Sequence, residues 1–365
     1  MEWVSRKINP SHYPVGLGSQ EQEVMKLLDV GCDDGAHMIG IHGIGGVGKS
    51  TLAREVYNNL IADHFDGSCF IENVREKSNK HGLQYLQSIL LSEILGEKDI
   101  KITSVQQGTS MIQRRLQRKK VLLILDDVDR KEQLEAAVGR ADWFGPGSRV
   151  IITTRDEQLL ASHDVQRTYQ VKELNKNDAL ELLKCKAFKM HYFDPRYEEL
   201  LNRAVTFSSG IPLALEVIGS VLYGKSIEEG KYVIHQIEKC PKNPVLAILK
   251  ASFDSLEEKE RSVFLDIACC FKGYELAELE DILEAHYGEN MKCYIDLLVD
   301  KSLVKLIHGT KPCYSRVTLH DLIEDMGKDI ARQESLVEPG ERRRLWLLED
   351  IRQVLENNRV SEVHE

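Results

Sequence analysis

Residues 43–51 read Gly-Ile-Gly-Gly-Val-Gly-Lys-Ser-Thr. The spacing Gly43-x4-Gly48-Lys49-Ser50 is that of a loop that wraps a phosphate group. Glycines let the backbone turn its N–H groups inward, and a helix N-terminus adds partial positive charge. Lys49 would neutralise β- and γ-phosphates, and the Ser50 hydroxyl would ligate Mg²⁺. Gly43, Gly45 and Gly48 also fit a dinucleotide-binding pattern, but Lys49-Ser50 decides for a nucleoside triphosphate. The candidate binding set is therefore Gly43, Gly45, Gly46, Val47, Gly48, Lys49, Ser50 and Thr51.

Further along, Val121-Leu-Leu-Ile-Leu is followed by Asp126, Asp127 and, after Val128, Asp129. An unbroken apolar run ending in acids reads as a strand buried on both faces. Its carboxylates would stand where open α/β sheets bind ligands. Asp126 would hold Mg²⁺, directly or through water, and Asp127 would orient or activate a water. An ordinary Asp-rich turn is the plainer alternative, and the phosphate loop upstream weighs against it. A third run, Arg149-Val-Ile-Ile-Thr153-Thr154-Arg155, places a guanidinium at another strand end. Arg155 there either senses a terminal phosphate or makes a loop salt bridge.

The elements needed to position these groups are legible in outline. Strands are expected near 37–42, 68–72, 121–126, 149–153 and 168–171, with helices near 51–62, 83–95, 107–117 and 131–138 between them. Such alternation means a parallel α/β sheet. Beyond about 172 only helices follow, among them 178–188, 197–208 and one opened by Pro212. A further unit begins with helices 246–255 and 261–271, on which Val263, Phe264, Ile267, Ala268 and Phe271 share a face. Two short strands near 303–307 and 316–319, with Lys311-Pro312 near the ribbon tip, complete a winged-helix pattern. The expected divisions are a linker over 1–14, a phosphate-loop α/β domain over 15–171, a helical-bundle domain over 172–244, a winged-helix domain over 245–335 and a linker over 336–365.

Composition narrows the class. Apolar residues make up 42% of the 365 and charged residues 29%, as in soluble globular proteins. A net charge of −10 argues against a large nucleic-acid surface. The cationic stretches 114–120 and 342–344 read as a solvated helix end and a surface turn. No apolar run reaches the roughly 18 residues of a membrane span, and the first residues lack an apolar signal region. The eight cysteines are scattered without a C-x-x-C pair, as buried thiols in a reducing compartment would be, and the 12 histidines show no zinc spacing.

The order of motifs resembles the NB-ARC module of plant TIR-NB-LRR immune receptors, of the STAND class of switch ATPases. The phosphate loop, the Asp126–Asp129 block and Gly147–Arg155 fit it. So do Phe70-Ile-Glu-Asn-Val-Arg-Glu76, Gly210-Ile-Pro-Leu-Ala-Leu215, Phe264-Leu-Asp-Ile-Ala-Cys269 and Leu319-His320-Asp321-Leu322. Ile211 and Leu319 depart mildly from the usual Leu and Met, and Arg344-Leu-Trp346 resembles the stretch before the leucine-rich repeats. The resemblance implies that Val15-Gly16 pack near the adenine and that Pro212 contacts the base or ribose. It implies that His320 bonds the β-phosphate of ADP, although a lone His at a strand end is ordinarily a satisfied polar residue. Asp321 also suits a helix N-cap.

By the same resemblance the chain is an excised or truncated module of a cytoplasmic receptor, with the nucleus also open to it. Partners would be an adenine nucleotide with Mg²⁺, TIR and leucine-rich-repeat domains of the full-length receptor, and a second copy on activation. Any NAD-cleaving activity would belong to a TIR domain outside this chain. A regulatory ADP/ATP switch, at most a slow ATPase, is the first expectation. A turnover ATPase or a DNA-binding winged-helix ATPase are the alternatives.

Overall fold

The computed structural model describes residues 15–29, 31, 34–61, 65–98, 100–188, 194–238, 244–308 and 315–357. The expected lead 1–14 and the ribbon tip at Lys311-Pro312 lie outside them. The chain divides into two compact units, Met1–Glu173 and Leu174–Glu365.

In the first unit, α1 (Gly18–Leu27), β1 (His37–His42), α2 (Lys49–Leu60), β2 (Gly67–Ile71), α3 (Val74–His81), α4 (Leu83–Leu95) and α5 (Val105–Leu116) follow in order. Next come β3 (Val121–Val128), α6 (Lys131–Ala137), β4 (Arg149–Thr154), α7 (Glu157–Ser162) and β5 (Arg167–Gln170). The five strands form one parallel sheet in the order β2-β3-β4-β1-β5. Strand β3 shows why its sequence is unbroken and apolar. Leu123 and Leu125 pack with Val150, Ile152 and the α4 residues Leu86, Leu90 and Ile94. Leu122 and Ile124 point the other way, among Ile39, Ile41, Leu52 and Val56. Helices cover both faces, so no alternation of polar and apolar residues survives.

Two helices of this unit went unread in the sequence. Helix α3 buries only Val74 and Ser78, so it carries no apolar stripe. Helix α7 is six residues long, too short for periodicity to speak. Its start is set by Asp156, whose Oδ1 accepts the Gln158 N–H at 2.9 Å.

The second unit opens with α8 (Lys176–Phe188), α9 (Glu198–Ser208), α10 (Pro212–Leu222), α11 (Ile227–Glu238) and α12 (Pro244–Asp254). Helix α10 is central: Leu213, Ala214, Leu215, Val217, Ile218, Val221 and Leu222 are all buried. Then come α13 (Glu258–Asp266), α14 (Leu276–Tyr287), α15 (Lys292–Asp300), β6 (Lys305–His308), β7 (Ser315–Thr318), α16 (Asp321–Arg332) and α17 (Leu348–Asn357). Strands β6 and β7 pair antiparallel, with Lys305 opposite Thr318. Helix α13 runs on as a single π turn over Ile267–Phe271. Gly327 of α16 sits against that turn, where a Cβ would come within 2.7 Å of the Ala268 Cβ. The helical and winged-helix parts expected on either side of residue 244 lie within this one unit.

Candidate functional site

The phosphate loop joins β1 to α2. Gly43, Gly46 and Gly48 hold positive φ values of 147°, 83° and 105°, which side chains resist. Lys49 is buried, and its Nζ donates to the Gly43 oxygen at 2.8 Å and the Ile44 oxygen at 2.9 Å. The ammonium is thus folded back over the loop whose N–H groups would face phosphate. Val47 is buried, while Val15 and Gly16 are half-buried just before α1.

Strand β3 is not the immediate neighbour of β1, because β4 lies between them. Thr153 of β4 fills that gap. Its hydroxyl donates to Asp126 Oδ1 at 2.6 Å and accepts the Asp127 N–H at 2.9 Å. Burial pushes the Asp126 carboxyl above the usual range, against hydrogen bonds from Thr153 and Ser50 and the nearness of Arg54. Ser50 of α2 and Asp126 of β3 therefore share one pocket. It is built of hard oxygen donors around a carboxylate whose charge is costly without a cation. The residues present fit Mg²⁺.

Asp127 takes another direction. Its φ is 58°, and the pairing of β3 with β4 shifts register between Leu125 and Val128. A left-handed residue in a strand rotates the next side chain away from its neighbour's, and Asp tolerates the conformation better than most. The carboxylate meets two guanidinium groups: Arg75 Nε lies 3.1 Å from Oδ2 and Arg155 Nε 3.8 Å from Oδ1. Arg75 and Thr153 had been seen only as members of longer motifs. No local pattern gives a partner so distant in the chain. A third pair, Arg54 with Glu72 at 2.8 Å, borders the Asp126 pocket.

In the second unit, Pro212 occupies the first turn of α10. His320 is half-buried at the N-cap of α16, and its Nδ1 accepts the Leu322 N–H at 3.1 Å. The cap is thus His320, not Asp321 as the sequence suggested. Asp321 lies one residue inside the helix and pairs instead with Lys272 Nζ at 3.2 Å. Lys272 is also 2.5 Å from Glu324. With Nδ1 accepting, the neutral imidazole carries its proton on Nε2.

Glu216, one turn beyond Pro212, ties the helical part to the winged-helix part. Its Oε2 is 3.0 Å from Lys305 Nζ, and its Oε1 is 3.8 Å from Lys186 Nζ. Burial alone would raise this carboxyl, but Lys305 and Lys186 outweigh it and hold it below the ordinary range. A depressed folded-state value adds stability above the unfolded value and loses it as the pH falls through the folded one. Glu216→Gln should therefore cost about 1 kcal/mol at neutral pH, because Lys305 is half-exposed and its pair with Glu216 is screened by solvent. Parent and variant melting temperatures should differ at neutral pH and converge only well below about pH 4.5, as the pH falls through the depressed folded-state value. An equal gap at both pH values overturns the assignment.

The profile of the NB-ARC domain matches residues 19–192, and that of the disease resistance protein Roq1-like winged-helix domain matches 257–335. The chain therefore carries an NB-ARC domain followed by a Roq1-like winged helix. It is 39% identical over 351 residues to TMV resistance protein N of Nicotiana glutinosa, covering 94% of this chain and 29% of that protein. Disease resistance protein RUN1 of Vitis rotundifolia is 40% identical over 333 residues, 91% of this chain and 24% of RUN1. The chain thus spans less than a third of these relatives. Among solved structures, a STAND protein with a tetratricopeptide repeat sensor from Pyrococcus horikoshii shares the fold. Its TM-score is 0.52 at 16% identity, over 98% of this chain and 47% of that one. No helix among the described residues is long and apolar enough to cross a membrane.

Proposed function

We propose that this chain is the ADP/ATP switch of an intracellular plant immune receptor of the TIR class, closed with ADP and opened by exchange for ATP. The observation that carries the reading is the convergence of Lys49, Ser50, Thr153 and Asp126 at the carboxyl-terminal ends of the central strands β1, β4 and β3. Lys49 and the loop Gly43–Thr51 hold the phosphates. Ser50 and Asp126 would hold Mg²⁺, which when bound would offset the charge of the phosphates. Arg155 reads the γ-phosphate, and Asp127 orients or activates water. Val15-Gly16 and Pro212 contact the base or ribose, and His320 the β-phosphate of ADP. A nucleotide whose phosphate state favours one of two conformations would shift the balance between closed and open populations. TIR and leucine-rich-repeat domains of the whole receptor, and a second copy on activation, are the partners this reading implies.

Mass spectrometry of nucleotide released from the purified, denatured protein tests the reading. Stoichiometric ADP is the expected result, and a protein that purifies empty and turns over ATP at about 1 s⁻¹ or faster is a turnover ATPase instead. The two aspartates should separate. Asp126→Ala should lose about tenfold in ATP affinity with Mg²⁺ present and little in its absence. Asp127→Ala should still bind ATP but hydrolyse it more slowly in single turnover. Hydrolysis at the parent rate removes Asp127 from the chemistry.

A further inference from the structure

Helix α2 meets the ends of two neighbouring strands in two matched pairs. Strands β2 and β3 run in register, with Ile71 opposite Leu125. Both of those side chains lie in one core cluster, so the residues that follow, Glu72 and Asp126, turn to the other face, which α2 covers. Ser50 and Arg54 stand one turn apart on α2. Ser50 bonds Asp126, and Arg54 Nη2 donates to Glu72 Oε1 at 2.8 Å. The Arg54 guanidinium also lies over the Phe70 ring, 5.8 Å from its centroid. Its Nε is buried without a hydrogen-bond partner among the described residues. The side chains of Arg54 and Glu72 are 22% and 34% exposed, so the pair is partly shielded and its charges act on the pocket beside it. Burial is the largest influence on the Asp126 carboxyl and raises it; of the two charges, Arg54 favours the ionised form and Glu72 opposes it.

We propose that Arg54 and Glu72 form a compensating pair that sets how strongly nucleotide binding depends on Mg²⁺: Arg54 engages Glu72, so that the metal meets a single uncompensated carboxylate, Asp126, rather than two. The inference rests on the reading of this pocket as a Mg²⁺–nucleotide site. Both are positioning residues, acting on the metal and the phosphates through their charge. Two carboxylates side by side attract a divalent cation more strongly than one, and they repel phosphate when the cation is absent. Without Arg54, the Glu72 charge adds to that of Asp126. Mg²⁺ is then drawn in more strongly and metal-free phosphate is pushed away. Without Glu72, the Arg54 charge opposes that of Asp126. Mg²⁺ is then held less well and metal-free phosphate is attracted. Loss of either member thus moves the Mg²⁺ dependence in opposite directions, which a merely structural role of the pair would not do.

Binding of the β,γ-imido analogue of ATP to the full chain, measured by calorimetry with Mg²⁺ and again with EDTA, tests this. The quantity read is the ratio of the two affinities. Arg54→Met should raise that ratio about tenfold, and Glu72→Gln should lower it about tenfold. The double variant, which removes both charges, should match the parent ratio within about threefold. Arg54→Lys should also keep the parent ratio, since it retains the charge while losing the flat contact with Phe70. Glu72→Gln is nearly isosteric and carries the test by itself if Arg54→Met does not fold. If Mg²⁺ does not tighten binding of the analogue in the parent, the reading of the pocket as a metal–nucleotide site falls. If it does, while the single variants keep the parent ratio or shift it in the same direction, only the role of the pair falls.

Discussion

Lys49→Ala is expected to lose about a hundredfold in affinity for ADP and ATP alike. A hydrogen bond between charged partners contributes about 1.5–3 kcal/mol, and each 1.4 kcal/mol is a factor of ten. An ammonium spanning two phosphates makes more than one such bond. The β-phosphate is common to both nucleotides, so both affinities fall. Lys49 also donates to the Gly43 and Ile44 oxygens, so its removal loosens the loop as well as its charge. Lys49→Arg retains the charge on a planar fork that replaces a compact ammonium poorly, and it too should bind weakly. Calorimetric titration checks this beside a thermal melt that shows the variant folded. Parent affinity for both nucleotides removes the phosphate-loop assignment.

The second large effect is expected at His320. Its Nδ1 caps α16, leaving Nε2 as the protonated atom that would donate to the β-phosphate of ADP. Loss of one charged hydrogen bond, about 1.5–3 kcal/mol, moves a closed-to-open ratio by about one to two powers of ten. Closure and ADP retention are linked reciprocally, so ADP release should accelerate by a similar factor. His320→Ala would lose the cap too, which contributes about 1 kcal/mol by itself. His320→Asp separates the two roles, because Asp caps well but cannot donate to phosphate. Asp321→Val should reach the same end by removing a partner of buried Lys272, which ties the first turn of α16 to the end of the π turn. Stopped-flow ADP release and small-angle scattering are the measurements. An unchanged off-rate and radius of gyration in His320→Asp would mean that His320 only caps its helix. In a whole receptor the faster-releasing variants should signal without a trigger.

The chemistry at the sheet edge was legible wherever it is local. A phosphate loop is one contiguous turn, and its glycines are required by backbone conformation alone. The central strands β3 and β4 were visible because burial on both faces demands runs such as Val121–Leu125. Pro212 at the start of α10 was readable because its missing N–H costs nothing there. Helices α3 and α7 were not, since a short or highly polar helix leaves no apolar period to detect.

What remained hidden is non-local. Sequence order does not say that β4 lies between β1 and β3, so nothing marked Thr153 as the hydroxyl serving both aspartates. Asp126 and Asp127 are adjacent letters, and only the left-handed turn at Asp127 sends one toward Ser50 and the other toward Arg75 and Arg155. Asp321 likewise yields its expected place as helix cap to His320, because Lys272, just beyond the π turn, claims its carboxylate. The sequence by itself determined the sheet, the loop and the inventory of charged groups, through backbone preference and apolar periodicity. The tertiary structure decided which charges meet, since electrostatic pairing depends on distances of a few ångströms between residues that the chain order leaves far apart.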